Sequence, residues 1–112
     1  VFNFFNKPAA YNSARPFEVS QKLEKEKPLI IDVREPYEYT QGHIIGSKLI
    51  PLGQLASRLN ELGGNDREII TVCRSGNRSG QAAAYLAAQG YSVTNMAGGM
   101  VGWLLAGLPV QR

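Results

Sequence analysis

The chain has 112 residues, 44% of them apolar and 19% charged, enough for one cohesive core that buries roughly two-thirds of the unfolded surface. No apolar stretch is long enough to span a bilayer. The net charge of +3 is scattered, without the Lys/Arg runs or aromatic–basic interleaving of a nucleic-acid binder. One cysteine and one histidine exclude an internal disulfide and a zinc site of the usual Cys/His type.

Residues 1–15 show no clean period and read as an arm, with a short edge strand expected near residues 10–13. Phe2, Phe4 and Phe5 give the arm a surface to dock on, its own or a partner's. Residues 16–112 form the single expected domain. A helix is expected over residues 17–25, with Pro16 at its start and Phe17, Val19 and Leu23 facing inward. Pro28 breaks it. Leu29-Ile30-Ile31-Asp32-Val33 follows as a continuous apolar run of strand length, the pattern of a strand covered on both faces.

Residues 36–41 predict a short helical turn ended by Gly42, and residues 47–50 a second short strand. Leu52, Leu55, Ala56, Leu59 and Leu62 share one helical face, which Gly63-Gly64 stops. Residues 68–73 make another apolar strand, and the alanine-rich stretch over 81–89 makes a helix. A strand over 91–95 leads through Gly98-Gly99 into a last helix, expected to carry Met100, Trp103 and Leu104 on its inner side until Gly107 and Pro109 end it. Apolar strands alternating with helices describe an α/β domain, a mostly parallel sheet with helices on both faces. Ligands in such sheets sit beyond the carboxyl ends of strands, where Asp32-Val33-Arg34-Glu35 and Cys73-Arg74 fall.

Cys73 closes its apolar run and opens Arg74-Ser75-Gly76-Asn77-Arg78-Ser79, a polar loop that runs into a helix. Core cysteines sit within apolar runs, so this position favours a nucleophile over a structural filler. Four residues separate Cys73 from Arg78, and Gly76 between them lets the loop turn its N–H groups inward as an anion nest at a helix N-terminus. A thiolate there is stabilised relative to the thiol. Arg74 and Arg78 place positive charge at the rim and are expected to bind the donor, Arg74 as the less certain of the two. Ser75 and Ser79 offer hydroxyls; with Gly76 and Asn77 these are the expected substrate-binding residues. Attack by that thiolate on the outer sulfur of an anionic donor such as thiosulfate expels sulfite, which leaves without protonation. Neither charging nor discharge of the persulfide demands a general acid, whereas phosphate ester hydrolysis usually does. No cofactor or metal is expected.

The segment Cys73-Arg74-Ser75-Gly76-Asn77-Arg78-Ser79 resembles the active-site loop of the rhodanese-like sulfurtransferases. Ile31-Asp32-Val33-Arg34-Glu35 with Gly42-His43-Ile44-Ile45-Gly46-Ser47 is similar to the family's first hallmark. The stretch from Gly98-Gly99 through Trp103 to Gly107-Leu108-Pro109 is similar to its closing segment. The resemblance implies a five-stranded parallel sheet flanked by helices and a persulfide on Cys73. Ser47 stands where alanine is usual, and the arm to about residue 10 has no counterpart, leaving open a partner-binding or membrane-proximal role for it. Phosphatases of similar fold carry a loop one residue longer, wider than a single sulfur atom requires.

Other residues also invite a role. Arg34 is a candidate rim residue steering an anionic donor. The alternative, Asp32 and Arg34 tying loops together, is favoured because a carboxylate beside an anion site is electrostatically unhelpful. His43 reads as a loop anchor and not as the partner of a Cys–His pair. Met100 and Trp103 are expected in the core, with the Gly98-Gly99 turn as a candidate wall of the pocket.

The expected activity is sulfur transfer from thiosulfate or a similar donor to cyanide or a thiol, a protein thiol included. The alternatives are a cysteine-dependent phosphatase or arsenate reductase of similar fold, and a non-enzymatic persulfide carrier that docks on a partner. A lone thiol is most readily kept reduced in the cytoplasm, the expected compartment, although a signal peptide removed ahead of Val1 would leave no trace.

Overall fold

The structure, a computed structural model, describes residues 10–64 and 66–112. The phenylalanine-rich part of the arm therefore lies outside the described residues. In chain order the elements are β1 (Asn12–Ala14), α1 (Pro16–Lys25), β2 (Leu29–Asp32), α2 (Pro36–Thr40), β3 (Lys48–Leu49), a 3₁₀ segment (Leu52–Glu61), β4 (Ile69–Val72), α3 (Asn77–Ala88), β5 (Val93–Met96) and α4 (Gly99–Leu105). The five strands form one sheet in the order β1-β5-β4-β2-β3, and every adjacent pair is parallel. No helix among the described residues is long and apolar enough to cross a membrane.

The period of two along the central strands divides the core. Ile31 and Val33 of the β2 run and Ile69 of β4 point to one face, where Leu55, Leu62, Ala82, Ala83 and Leu86 cover them. Ile30, Ile70 and Val72 point to the other, against Val19, Met96, Met100 and Trp103. The small side chains of Ala82 and Ala83 let α3 lie close on the sheet. Cys73, which continues the alternation of β4, falls on the α3 side.

Three inward faces differ from the sequence expectation. On α1 the buried row is Pro16, Val19 and, partly, Leu23, spaced i, i+3 and i+7. Phe17 lies off that row and is 62% exposed. The helix is anchored by its proline, which sits against Gly102 of α4. The leucine segment is 3₁₀ and not α, with a break at Arg58 (φ −120°, ψ 22°). Three residues per turn, reset at the break, keep Leu52, Leu55, Leu59 and Leu62 in register and leave Ala56 exposed. On α4, Met100 and Trp103 pack inward while Leu104, on the flank, is 57% exposed.

Both proline-started helices are closed by a glutamate at the third helical position. Glu18 accepts the Arg15 N–H at 2.7 Å, and Glu38 accepts the Glu35 N–H at 2.9 Å. At the opposite end of the sheet from the cysteine, Glu68 accepts from Lys22 Nζ at 2.9 Å and from the Thr94 hydroxyl, which ties α1 to β4 and β5.

Candidate active site

The carboxyl ends of β4 and β5 converge on the cysteine loop. Gly76 adopts φ 110° as the residue before α3, a conformation that suits glycine and turns the loop back over the strand end. Its N–H points at Cys73 Sγ, 3.1 Å away, and the Ser79 hydroxyl donates to the same sulfur at 3.2 Å. Burial pushes the Cys73 thiol up. The Ser79 hydroxyl and the backbone N–H groups of Ser79, Gly76 and Ser75 outweigh it and hold the thiol below its ordinary value. The side chain is only 1% exposed and joins the apolar cluster under α3. Cys73 is thus both a core residue and the focus of inward-pointing donors.

A second layer fixes those donors. Thr71 Oγ1 donates to Ser79 O at 3.0 Å, and Asn95 Nδ2 donates to Gly76 O at 3.2 Å. Thr71 and Asn95 are register partners across β4 and β5, so the sheet itself holds both ends of the loop. On the outer side, α4 presses on the cysteine peptide: Met100 N–H donates to Cys73 O at 2.8 Å and Val101 N–H to Arg74 O at 3.0 Å. Gly99, at φ 57°, makes this approach possible, because a Cβ there would collide with the Cys73 and Arg74 backbone.

The two loop arginines differ. Arg78 forms a bidentate pair with Glu38, Nη1 to Oε1 at 2.7 Å and Nη2 to Oε2 at 2.9 Å. The pair raises the Arg78 pKa and holds the Glu38 carboxyl at about 2. Arg74 is exposed and has no ion pair with any described residue. Ser75 and Asn77 are exposed on the loop, and Ser79 is fully buried.

The chain as a whole has counterparts among known proteins. The model of the Rhodanese-like domain matches residues 16–106. The chain belongs to that family. A sulfurtransferase of Allochromatium vinosum is 42% identical over 94 residues, covering 82% of this chain and 87% of the relative. A thiosulfate sulfurtransferase of Pseudoalteromonas translucida, GlpE, is 40% identical over 82 residues, covering 72% of this chain and 77% of the relative. A crystal structure of a rhodanese-related protein from Thermoplasma volcanium superposes with a TM-score of 0.83 at 30% identity, covering 90% of this chain and 98% of that one. The five-stranded parallel sheet is the architecture that the resemblance implied.

Around this rhodanese-like loop the remaining predicted residues fall as follows. Arg34 is buried, and its guanidinium grips Asp32 (Nε to Oδ1 at 2.9 Å, Nη2 to Oδ2 at 2.7 Å) while also donating to Glu38 O and Gly42 O. It therefore ties β2, α2 and the following turn together. His43 stacks on Tyr39 with ring centroids 3.7 Å apart, and its Nδ1 donates to Tyr39 O at 2.9 Å, so that nitrogen carries the proton. Reciprocal backbone bonds join His43 to Gln111, clasping the end of the chain. Ser47 donates to Ile44 O at 2.6 Å within the same turn.

Glu38, Thr71 and Asn95 are the members of the site that sequence reasoning missed. Thr71 had a signal, a polar residue inside a strand otherwise apolar, and Asn95 a weaker one, beside Thr94 between Val93 and Met96; a buried polar group needs a partner. Glu38 had only its place as the third helical residue after Pro36, which accounts for its bond to Glu35 and not for Arg78.

Proposed function

We propose that this protein is a thiosulfate-type sulfurtransferase that works through a persulfide on Cys73. The carrying observation is the cradle at the thiol, with the Gly76 N–H at 3.1 Å and the Ser79 hydroxyl at 3.2 Å from Sγ. In the first step the Cys73 thiolate attacks the outer sulfur of thiosulfate. A bond forms between the two sulfurs, and the S–S bond of the donor breaks, its electron pair leaving with sulfite. In the second step cyanide or a thiolate attacks the outer sulfur of the persulfide and returns Cys73 as a thiolate. Charge on sulfur is present throughout, so fixed N–H donors can assist both steps without reorganising.

Ser79 and the N–H groups of Ser75 and Gly76 hold the anionic sulfur, Asn77 starts the helix behind it, and Arg74 attracts the donor. Arg78 braces the loop on Glu38, and Arg34 shapes the rim by holding Asp32 and the Gly42 turn. The four-residue spacing from Cys73 to Arg78, and a relative known as a thiosulfate sulfurtransferase, support this reading over phosphate ester hydrolysis. A carrier that depends on a reduced thiol fits a reducing compartment such as the cytoplasm. Thiosulfate with cyanide should yield thiocyanate, and Cys73→Ala should abolish it. Equal thiocyanate formation by the variant would reject the mechanism.

A further inference from the structure

Gly76 O accepts two donors, the Gly80 N–H at 3.0 Å and Asn95 Nδ2 at 3.2 Å. The first is the opening bond of α3, which any helix starting there would make. The second is particular to Asn95, a buried residue of β5. A carbonyl oxygen only accepts, so the Asn95 atom that faces it is the amide nitrogen. The peptide between Gly76 and Asn77 is trans and planar, with its C=O and N–H on opposite sides. Holding Gly76 O toward β5 therefore turns the Asn77 N–H the other way. Gly76 lies in the left-handed region (φ 110°, ψ −12°) and Asn77 begins α3, a succession that gathers consecutive N–H groups around one concavity. The Gly76 N–H points at Cys73 Sγ from 3.1 Å, so the concavity opens over the sulfur. Among the described residues the Asn77 N–H has no backbone acceptor, since Cys73 O, four residues back, accepts from Met100.

We infer that Asn95 is a positioning residue for the charging step, aiming the Asn77 N–H at the outer sulfur of the Cys73 persulfide. The inference rests on the carrier reading of Cys73. In charging, thiolate and thiosulfate give persulfide and sulfite. One S–S bond forms, one breaks, and the electron pair of the broken bond leaves with sulfite. The transferred sulfur keeps its negative charge and ends one S–S bond, about 2 Å, beyond Sγ. It needs a donor further out than those on Sγ itself. Those donors come from other groups: the Gly76 N–H belongs to the preceding peptide, and Ser79 supplies its hydroxyl. Loss of the Asn95 amide therefore weakens the hold on the outer sulfur and leaves ionisation of the thiol alone.

Asn95→Leu on the full chain tests this at small cost to folding, because Gly76 O keeps the Gly80 N–H and Thr71 keeps Ser79 O. Asn95→Thr is a second variant, suited to a strand and too short to reach Gly76 O. Single-turnover charging by thiosulfate should slow about tenfold in both, the low end for one hydrogen bond to a charged group. Discharge of the preformed persulfide by cyanide should not slow, because the outer sulfur departs with cyanide and the charge returns to Sγ. The pH midpoint of Cys73 alkylation should stay with the wild type. Unchanged charging in both variants overturns the role of Asn95, while a persulfide on the wild type leaves the carrier reading standing. Charging and discharge slowed together, with a displaced midpoint, describe a loosened loop and overturn it as well. A wild type that takes up no sulfur overturns both readings.

Discussion

Among the described residues the Ser79 hydroxyl is the one side-chain donor on the cysteine sulfur, and Ser79→Ala measures how much the cradle does. The side chain is fully buried and donates to Sγ at 3.2 Å, so water cannot replace the lost donor. Hydrogen bonds to charged groups contribute about 1.5–3 kcal/mol, and sulfur, a diffuse acceptor, belongs at the lower end. At 1.36 kcal/mol per pKa unit the loss corresponds to a rise of about one unit in the Cys73 pKa. At any pH below both midpoints the thiolate fraction should fall by about tenfold. Fold stability should change little, because alanine suits the first turn of α3 and removes a single oxygen. The pH dependence of alkylation by iodoacetamide reads the titration directly. Ser75→Ala is the control, since Ser75 lends only its backbone N–H, and its midpoint should stay with the wild type. A Ser79→Ala midpoint equal to or below that of the wild type would refute the assignment of the hydroxyl as a thiolate donor.

Other outcomes follow from the same geometry. Gly99→Ala should destabilise by about 2–4 kcal/mol, combining the strain of a positive φ with a Cβ forced onto the Cys73 and Arg74 backbone, and chemical denaturation checks it. Glu38→Gln should cost about 1–2 kcal/mol at neutral pH by loosening its bidentate pair with the half-exposed Arg78. Because the folded Glu38 carboxyl titrates at about 2, below its ordinary 4.5, its contribution is complete above 4.5 and is lost as pH falls through about 2. Unfolding midpoints of wild type and Glu38→Gln should therefore converge in acid; a constant gap would contradict the pairing. Val19→Ala should cost about 2 kcal/mol and Phe17→Ser almost nothing, by thermal melts, since only the first faces the core.

What could be read from the sequence had local causes. Leu29–Asp32 and Ile69–Val72 are mostly apolar, without the alternation of a half-exposed strand, because both faces of each strand are covered, and that pattern needs no knowledge of partners. Cys73, Gly76 and the start of α3 lie within a few residues, so the loop's turn and its donors follow from local chain geometry. The pairing of Arg78 with Glu38 spans 40 residues of sequence, and nothing near either one signals it. That distance is why the sequence favours Arg78 over Arg74 as the donor-binding arginine, whereas the structure pairs Arg78 with Glu38. The exposure of Phe17 and Leu104 was misread because helical periodicity sets the width of an apolar face, while packing between Pro16 and Gly102 decides which edge of it turns inward. The leucine segment keeps its leucines on the core but not Ala56 or its helix type, since a reset at Arg58 serves leucines at this spacing as well as α geometry would.

The central claim, that Cys73 carries sulfur as an anion under the loop amides, is most directly tested by intact-mass analysis after exposure to thiosulfate. The wild type should gain one sulfur, about 32 Da, removable by cyanide, and Cys73→Ser should gain none. A wild type that keeps its mass, or a Cys73→Ser variant that gains the same sulfur, would contradict it.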